Sequence, residues 1–366
     1  MKLFLILIFM AAYYIEPGIG ADTNLGTSMG AGNSWATAQK GFDAAVAGDT
    51  VYLVNSATET LTALIDIDIN SGTQAGGLIK FIGTNSLGVD DGTKYVIDGN
   101  SAVANIFKVT GKSYISIKNL EIKNATSHGF TWFSAGSIAF ENVWSHNNGG
   151  NGFNIGTQGG QRSWSKCRSY SNTSNGWSGT QSDSFYFCIS YSNGAAAWSL
   201  STVSHPLIAC IAHTCTTGGF LAFAAGTGQN LLYGCVVNNC ATGVQSYNNS
   251  NVFQGVVIGC RITNNATKGL QIVTGSIIIE DYNYINGNGT NVSVEGNGIR
   301  VAGGNSVVGS GTEGYTAVGS NDFNLTASAS LRRTAVAIDS TNNHYITAGL
   351  APTDSGSGGS MICYDD

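Results

Sequence analysis

Short alternations of apolar and polar residues recur along the middle of the chain, each followed by a polar turn, a Gly and one large apolar side chain. "KNLEIKNATSHGF", "ENVWSHNNGGNGF", "KCRSYSNTSNGW", "FCISYSNGAAAW", "ACIAHTCTTGGF", "GCVVNNCATGV", "GCRITNNATKGL" and "EDYNYINGNG" align on their second residue. One column then reads Asn119, Asn142, Cys167, Cys188, Cys210, Cys235, Cys260 and Asp281, with 21 to 25 residues between members. Five positions on, a second column reads Asn124, Asn147, Asn172, Asn193, Cys215, Cys240, Asn265 and Asn286. A third, usually after Gly, holds Phe130, Phe153, Trp177, Trp198, Phe220, Val244 and Leu270, an expected apolar stack. A period this short, with frequent Gly and little Pro, does not suit a helical array. It suits a β-solenoid, whose turns pair with those above and below so that equivalent residues stack.

Weaker turns are expected upstream at "TVYLVN", "LIDIDIN", "LIKFIG", "KYVIDG" and "NIFKVTG", and downstream at "GIRVAGG", for about twelve coils in all. Parallel connections of this kind are right-handed. An open solenoid end must be capped. Trp35, Ala38, Phe42 and Ala45 share one helical face in "WATAQKGFDAAVA", which predicts a capping helix over 35–47 with Ser34 as N-cap and Gly48 just past its end. The expected organisation is an upstream extension or signal at 1–12, a strand and capping helix at 13–50, the solenoid at 51–306, a β-rich cap at 307–352 and a tail at 353–366. "MKLFLILIFMAA" has the charge-then-apolar order of a secretory signal. Cleavage after Ala12 or Ala21 and a start at Met10 all stay open, and "YYIEP" reads as a strand. The apolar run falls short of the ~18 residues a membrane span needs.

Of 366 residues, 50 are Gly and only 10% are charged, against about 25% in an ordinary domain. Ser, Thr, Asn and Gln replace charge at the surface. The net charge of −6 comes with sixteen scattered Lys and Arg, which form no basic stripe and exclude nucleic acid as a partner.

"NSWATAQKGFDAAVAGDTVYLV", the Asn/Cys-x4-Asn coils with their Gly-aromatic step, and the closing "NDFNLTAS" resemble the right-handed parallel β-helix, or pectate-lyase-like, superfamily over about residues 13–350. The opening "AAYYIEPGIGADTNLGTSMGAGNSWATA" is most similar to that of β-helix proteins in phage virions and secreted bacterial proteins. The resemblance implies an all-β, single-stranded right-handed parallel β-helix. It also implies an exterior-facing, extracellular protein, virion-borne or secreted. Its function is either a non-catalytic virion surface or tail component that touches host glycans, or a secreted polysaccharide lyase or glycosidase. Other virion proteins and surface glycans are the partners this suggests, and a homo-oligomer stays open.

Cys210 and Cys215 lie about 16 Å apart along an extended coil, too far to share a metal ion. Stacked, reduced core thiols are the expectation for the Cys columns, with inter-coil disulfides or a metal as alternatives. Cys363 stands outside the columns. Asn columns are expected to bond up and down the stack. Catalysis on this scaffold needs charge, and residues 122–279 hold only two acids, Glu141 and Asp183. Glu141 should pair with Lys118 or Lys166, Asp183 reads as a turn residue and His213 as an ordinary coil residue. No catalytic residue is assigned. Asp66, Asp68, Asp90 and Asp91 are the calcium candidates, the one cofactor considered, with solvated turns as the other reading. Outward positions beside the apolar stack, Phe133, Asn154, Phe223, Gln245, Tyr247 and Gln271 among them, suit a neutral glycan, because aromatic rings stack on sugars and amides bond hydroxyls.

Overall fold

The computed structural model describes residues 10–133, 136–156, 160–179, 183–200, 205–221, 229–246, 253–303, 306–309, 315–317 and 322–325. The chain divides into two compact units, Met1–Arg168 and Ser169–Asp366.

In the first unit, β1 (Ala12–Ile15) pairs in parallel with β2 (Thr50–Val54). Between them lies α1 (Ala38–Ala44). One turn of solenoid then comprises β2, β3 (Glu59–Thr60) and β4 (Ile65–Ile67). The next comprises β5 (Ile79–Thr84), β6 (Tyr95–Asp98) and β7 (Asn105–Thr110), which pair in parallel with β2, β3 and β4 respectively. β8 (Ile115–Lys123) is long enough to pair with both β5 and β6. β9 (His128–Phe133) continues from β7. β10 (Ile138–His146) lies on β8 and β11 (Phe153–Ile155) on β9. Every one of these pairings is parallel, so the fold is an all-β parallel solenoid. Among the described residues the turns are fewer than the expected twelve. "TVYLVN" and "LIDIDIN" are two sides of one turn, and "LIKFIG", "KYVIDG" and "NIFKVTG" three sides of the next. Each side alternates on its own, so the pattern alone counts sides as turns.

α1 is shorter than its apolar face predicts, and Thr37, not Ser34, caps it: its side chain accepts from the Lys40 N–H. The reason is that Trp35 is held extended beside β1, its N–H donating to Tyr14 O while its own carbonyl accepts from Glu16. Asp22 takes the N–H groups of Ala36 and Thr37. The helix nevertheless caps the core. Phe42 stacks on Phe81 with centroids 3.8 Å apart and meets Phe107 edge-on at 5.5 Å.

Beneath the cap runs the apolar stack. Phe107, Phe130 and Phe153 sit in register on β7, β9 and β11, all fully buried. In the second unit Trp177, Trp198, Phe220, Val244 and Leu270 do the same on consecutive strands from Trp177–Gly179 to Lys268–Ile272. The Trp177 and Trp198 rings are 4.8 Å apart and 1° from parallel. A further strand, Thr290–Val294, extends this sheet. The other sides of the second unit are equally regular, with Ile189–Tyr191, Ile211–His213, Val236–Asn238, Arg261–Thr263 and Tyr284–Asn286 pairing in order. "GIRVAGG" supplies the strand Ile299–Ala302.

Most of the expected cap at 307–352 and the whole tail at 353–366 lie outside the described residues. Within that stretch Tyr315–Ala317 and Asp322–Leu325 form an antiparallel pair.

Candidate functional site

The corners of the solenoid explain the Asn and Cys columns. At each, one residue adopts a left-handed conformation, which Asn tolerates better than most side chains. In the first unit Asn119 (φ 54°) and Asn142 (φ 53°) are themselves the corner residues. The Asn142 amide donates to Asn119 Oδ1 at 2.8 Å, and the Asn119 amide to Gly83 O at 3.1 Å. Gly83 is obligatory there: a Cβ would fall 1.8 Å from Asn119 O. In the Cys-bearing turns the corner is one residue earlier, at Lys166, Phe187, Ala209, Gly234 and Gly259, so the thiols point inward. The second column shows the same offset. Asn124 and Asn147 are corner residues, while Asn172, Asn193, Cys215, Cys240 and Asn265 are buried inside. The inward amide of the first unit is Asn148, whose Oδ1 accepts from Ala125 N at 3.0 Å. At the far end Asn283 and Asn288, rather than Asp281 and Asn286, close the two columns by accepting from Cys260 N (2.8 Å) and Asn265 N (2.9 Å). Within the second unit the Asn172 amide donates to Asn193 Oδ1 at 3.0 Å.

Cys167, Cys188, Cys210, Cys215, Cys235, Cys240 and Cys260 are all buried, and none is disulfide-bonded. Burial pushes the thiols of Cys210 and Cys260 up. Cys235 Sγ donates to Leu207 O at 3.2 Å and Cys260 Sγ to Leu232 O at 3.5 Å. Cys363 lies outside the described residues.

The calcium candidates are not brought together. Asp66, on β4, pairs with Lys108 at 2.8 Å, and Asp68 beyond it is exposed. Asp90 and Asp91 sit between β5 and β6. Asp90 accepts from Lys118 and from Asn119, each at 2.8 Å, and Asp91 from Asn85 at 2.7 Å. Among the described residues no group of three or more His, Cys, Asp or Glu side chains is placed to hold a metal ion. Glu141 lies 3.9 Å from Lys118. Asp183 begins the strand Asp183–Tyr186 and is buried, its N–H donating to His205 Nδ1 at 3.2 Å, so it is no surface turn residue.

Of the glycan candidates, Asn154 and Gln245 are partly exposed on strands of the second sheet, whereas Gln271, expected outward, is buried there. In the first unit Asp66, Lys108, Thr131 and Asn154 are level with one another. Thr131 donates to Asn105 at 3.1 Å, and Asn154 accepts from Asn151 at 3.2 Å. Phe133 ends β9 opposite Thr110. In the second unit one row runs Ser178, Ser199, Leu221, Gln245, Gln271, Ser293, each paired with the next. Gln271 donates to Glu295 Oε1 at 2.7 Å, and Lys268 pairs with the same oxygen. Those bonds hold the Glu295 carboxyl below its usual range. The sequence reading missed Glu295, although the alternation in "NVSVEG" puts it on this face. Phe223 and Tyr247 lie outside the described residues.

A second constellation, also missed, occupies the first unit. Trp144, half-buried on β10, is level with Glu121 on β8. Lys94 Nζ stands 3.7 Å from the indole centroid and the Arg168 guanidinium 4.6 Å. Glu121 Oε1 is 3.2 Å from His146 Nε2 and 3.7 Å from Lys123 Nζ. The bond to His146 and these cations hold its carboxyl low. Alternation in "NLEIKN" and "NVWSHN" places Glu121, Lys123, Trp144 and His146 outward. Lys94, from the loop before β6, has no such signal.

A model of the Pel9A-like right-handed β-helix region matches residues 13–283. Among solved structures, pectate lyase Pel9A is similar with a TM-score of 0.64 at 18% identity, over 94% of this chain and 96% of that one. XylC in its complex with xylose is similar at 0.55 and 11% identity, over 77% of this chain and 69% of that one. The GH136 lacto-N-biosidase from Eubacterium ramulus is similar at 0.50 and 12%, over 82% and 68%. No curated protein matches.

Proposed function

Since this chain belongs to the Pel9A-like right-handed β-helix family, we propose that it recognises polysaccharide chains outside the cell, with the outward row of the second unit as its contact face. The observation that carries this reading is the row itself. Ser178, Ser199, Gln245 and Ser293, each partly exposed, present hydroxyl and amide groups along one row of strands spaced about 4.8 Å apart, while Gln271 in the same row is buried with its amide on Glu295. Such groups both donate and accept, as sugar hydroxyls do. The likeness to a pectate lyase and to a lacto-N-biosidase also supports it. Neither lends support to a virion component. Among the described residues no helix is long and apolar enough to cross a membrane.

Affinity electrophoresis against a panel of neutral and acidic polysaccharides tests the proposal. Retention should weaken about five-fold in Gln245→Ala, the worth of about one hydrogen bond. Failure to retain any polysaccharide, or retention indifferent to Gln245→Ala and Ser199→Ala together, overturns it. Cleavage is the second reading, favoured by the gathering of Glu121, His146, Lys94 and Arg168, since acid–base chemistry needs such groups within reach of the bond. New unsaturated or reducing ends in the same panel would establish it.

A further inference from the structure

We propose that one outer side of the second unit, built from the strands Pro206–Ile208, Gln229–Tyr233, Phe253–Ile258, Ser276–Asp281 and Ile299–Ala302, is where a second copy of this chain docks to form a two-fold dimer.

The sequence is the first argument. These strands carry "PLI", "NLLY", "GVVI", "SIII" and "GIRV", near-continuous apolar runs. A sheet with one face in water alternates apolar with polar residues, and continuous runs mark strands covered on both faces. Here only the inner face is covered. Leu207, Leu232 and Val257 point inward and are buried. Pro206, Leu231, Val256, Ile279 and Val301 are level with one another on the five paired strands, and all are partly or fully exposed. Ile279 is 40% and Val301 47% exposed. Ile208, Tyr233 and Ile258 form a partly exposed row on one flank, and Ile277 and Ile299 lie on the other. The apolar character is particular to these strands, since β8 and β10 of the first unit put Ser116, Lys118 and Glu141 outward.

Charge and area select the partner. Arg300, between Ile299 and Val301, turns to the buried Glu280, with Nε 3.1 Å from Oε1. Asp281 stands at the edge of the face, level with Ile258. Rows free of charge meet their own copy without a like-charge penalty, and a two-fold axis uses the same patch twice. Five strands about 4.8 Å apart, each offering two or three outward residues, make a face of about 400 Å². Exposed apolar residues scattered singly need no explanation, but a contiguous patch of this size does. The apolar share of a standard interface is about 450 Å² per partner, close to what this face supplies. Branched side chains on two such sheets interdigitate when the backbones pack about 10 Å apart.

Sedimentation velocity of the full-length protein from about 1 to 100 μM tests this. The dimer fraction should rise with concentration. Ile279→Lys and Val301→Lys should each weaken self-association at least about ten-fold, because each would bury an unpaired ammonium. Ser116→Lys, which adds the same charge to the first unit, should leave it unchanged. Val301 lies on the last of the five strands, so its variant keeps the test valid should Ile279→Lys fail to fold. A chain that stays monomeric at about 100 μM, self-association indifferent to both lysines, or an equal loss in Ser116→Lys would each overturn the proposal. Monomers that float with phosphatidylcholine vesicles would assign the face to lipid and overturn it too. Gln245 and its row lie on the other sheet, so polysaccharide retention stands or falls separately.

Discussion

The imidazole of His213 lies flat against the phenol of Tyr191, ring centroids 4.9 Å apart and planes 4° from parallel, on strands that pair these two residues directly. His213 is only 5% exposed, and burial brings its pKa down from 6.5 to about 4. The unfolded chain therefore binds this proton near pH 6.5 and the folded chain near pH 4. Stability from this group is complete above pH 6.5 and falls as the pH drops towards 4, by up to about 3 kcal/mol. Urea midpoints at pH 7 and pH 4 measure the loss. His213→Asn, which places there the residue found at Asn238 on the next strand, should remove that component of the slope. An unchanged slope in the variant would show that His213 is not the group responsible.

Trp177→Ala should destabilise the protein by about 3–5 kcal/mol, because it opens a cavity in the fully buried stack against Trp198. Denaturant unfolding followed by circular dichroism reads this directly. A loss below about 1 kcal/mol would mean that the ring is not packed as described.

The buried thiols should resist modification. In the native protein a thiol reagent should titrate slowly and find few groups. After denaturation all eight cysteines of the chain should react, seven of them from the buried columns. Peptide mapping that found a disulfide between Cys210 and Cys235 would contradict the reduced ladder.

Removing calcium should leave the melting temperature unchanged. Asp66 and Asp90 each pair through Oδ2 with Lys108 and Lys118, and they stand on different sides of the solenoid. A chelator-induced fall of several degrees, restored by calcium, would show a cation site that these ion pairs conceal.

Much of the fold was legible because stacking imposes a period. Cysteines recurring every 21 to 25 residues could be aligned without knowing which way any one pointed, and Trp177, Trp198 and Phe220 followed. Direction was harder to read. Asn124 and Asn172 look equivalent in the alignment, yet the first makes the corner and the second points inward, since a left-handed residue and a buried amide both select Asn. Turn number failed for a related reason, since "TVYLVN" and "LIDIDIN" each alternate like a complete turn. The Trp144 cluster was least legible of all. Lys94 and Trp144 are fifty positions apart and meet only because intervening turns stack, so no local pattern links them.

The corners also give an engineer a handle. Some hold side chains poorly suited to positive φ, notably Phe187 at 57° and Tyr282 at 55°. A bulky residue costs about 1–2 kcal/mol in that conformation. Tyr282 is 37% exposed, so little packing would be lost on replacing it. Tyr282→Asn should raise the melting temperature, and the same exchange can be repeated wherever a corner side chain reaches solvent. Thermal tolerance could thus be increased by editing the bends alone, with the sheet faces left as they are.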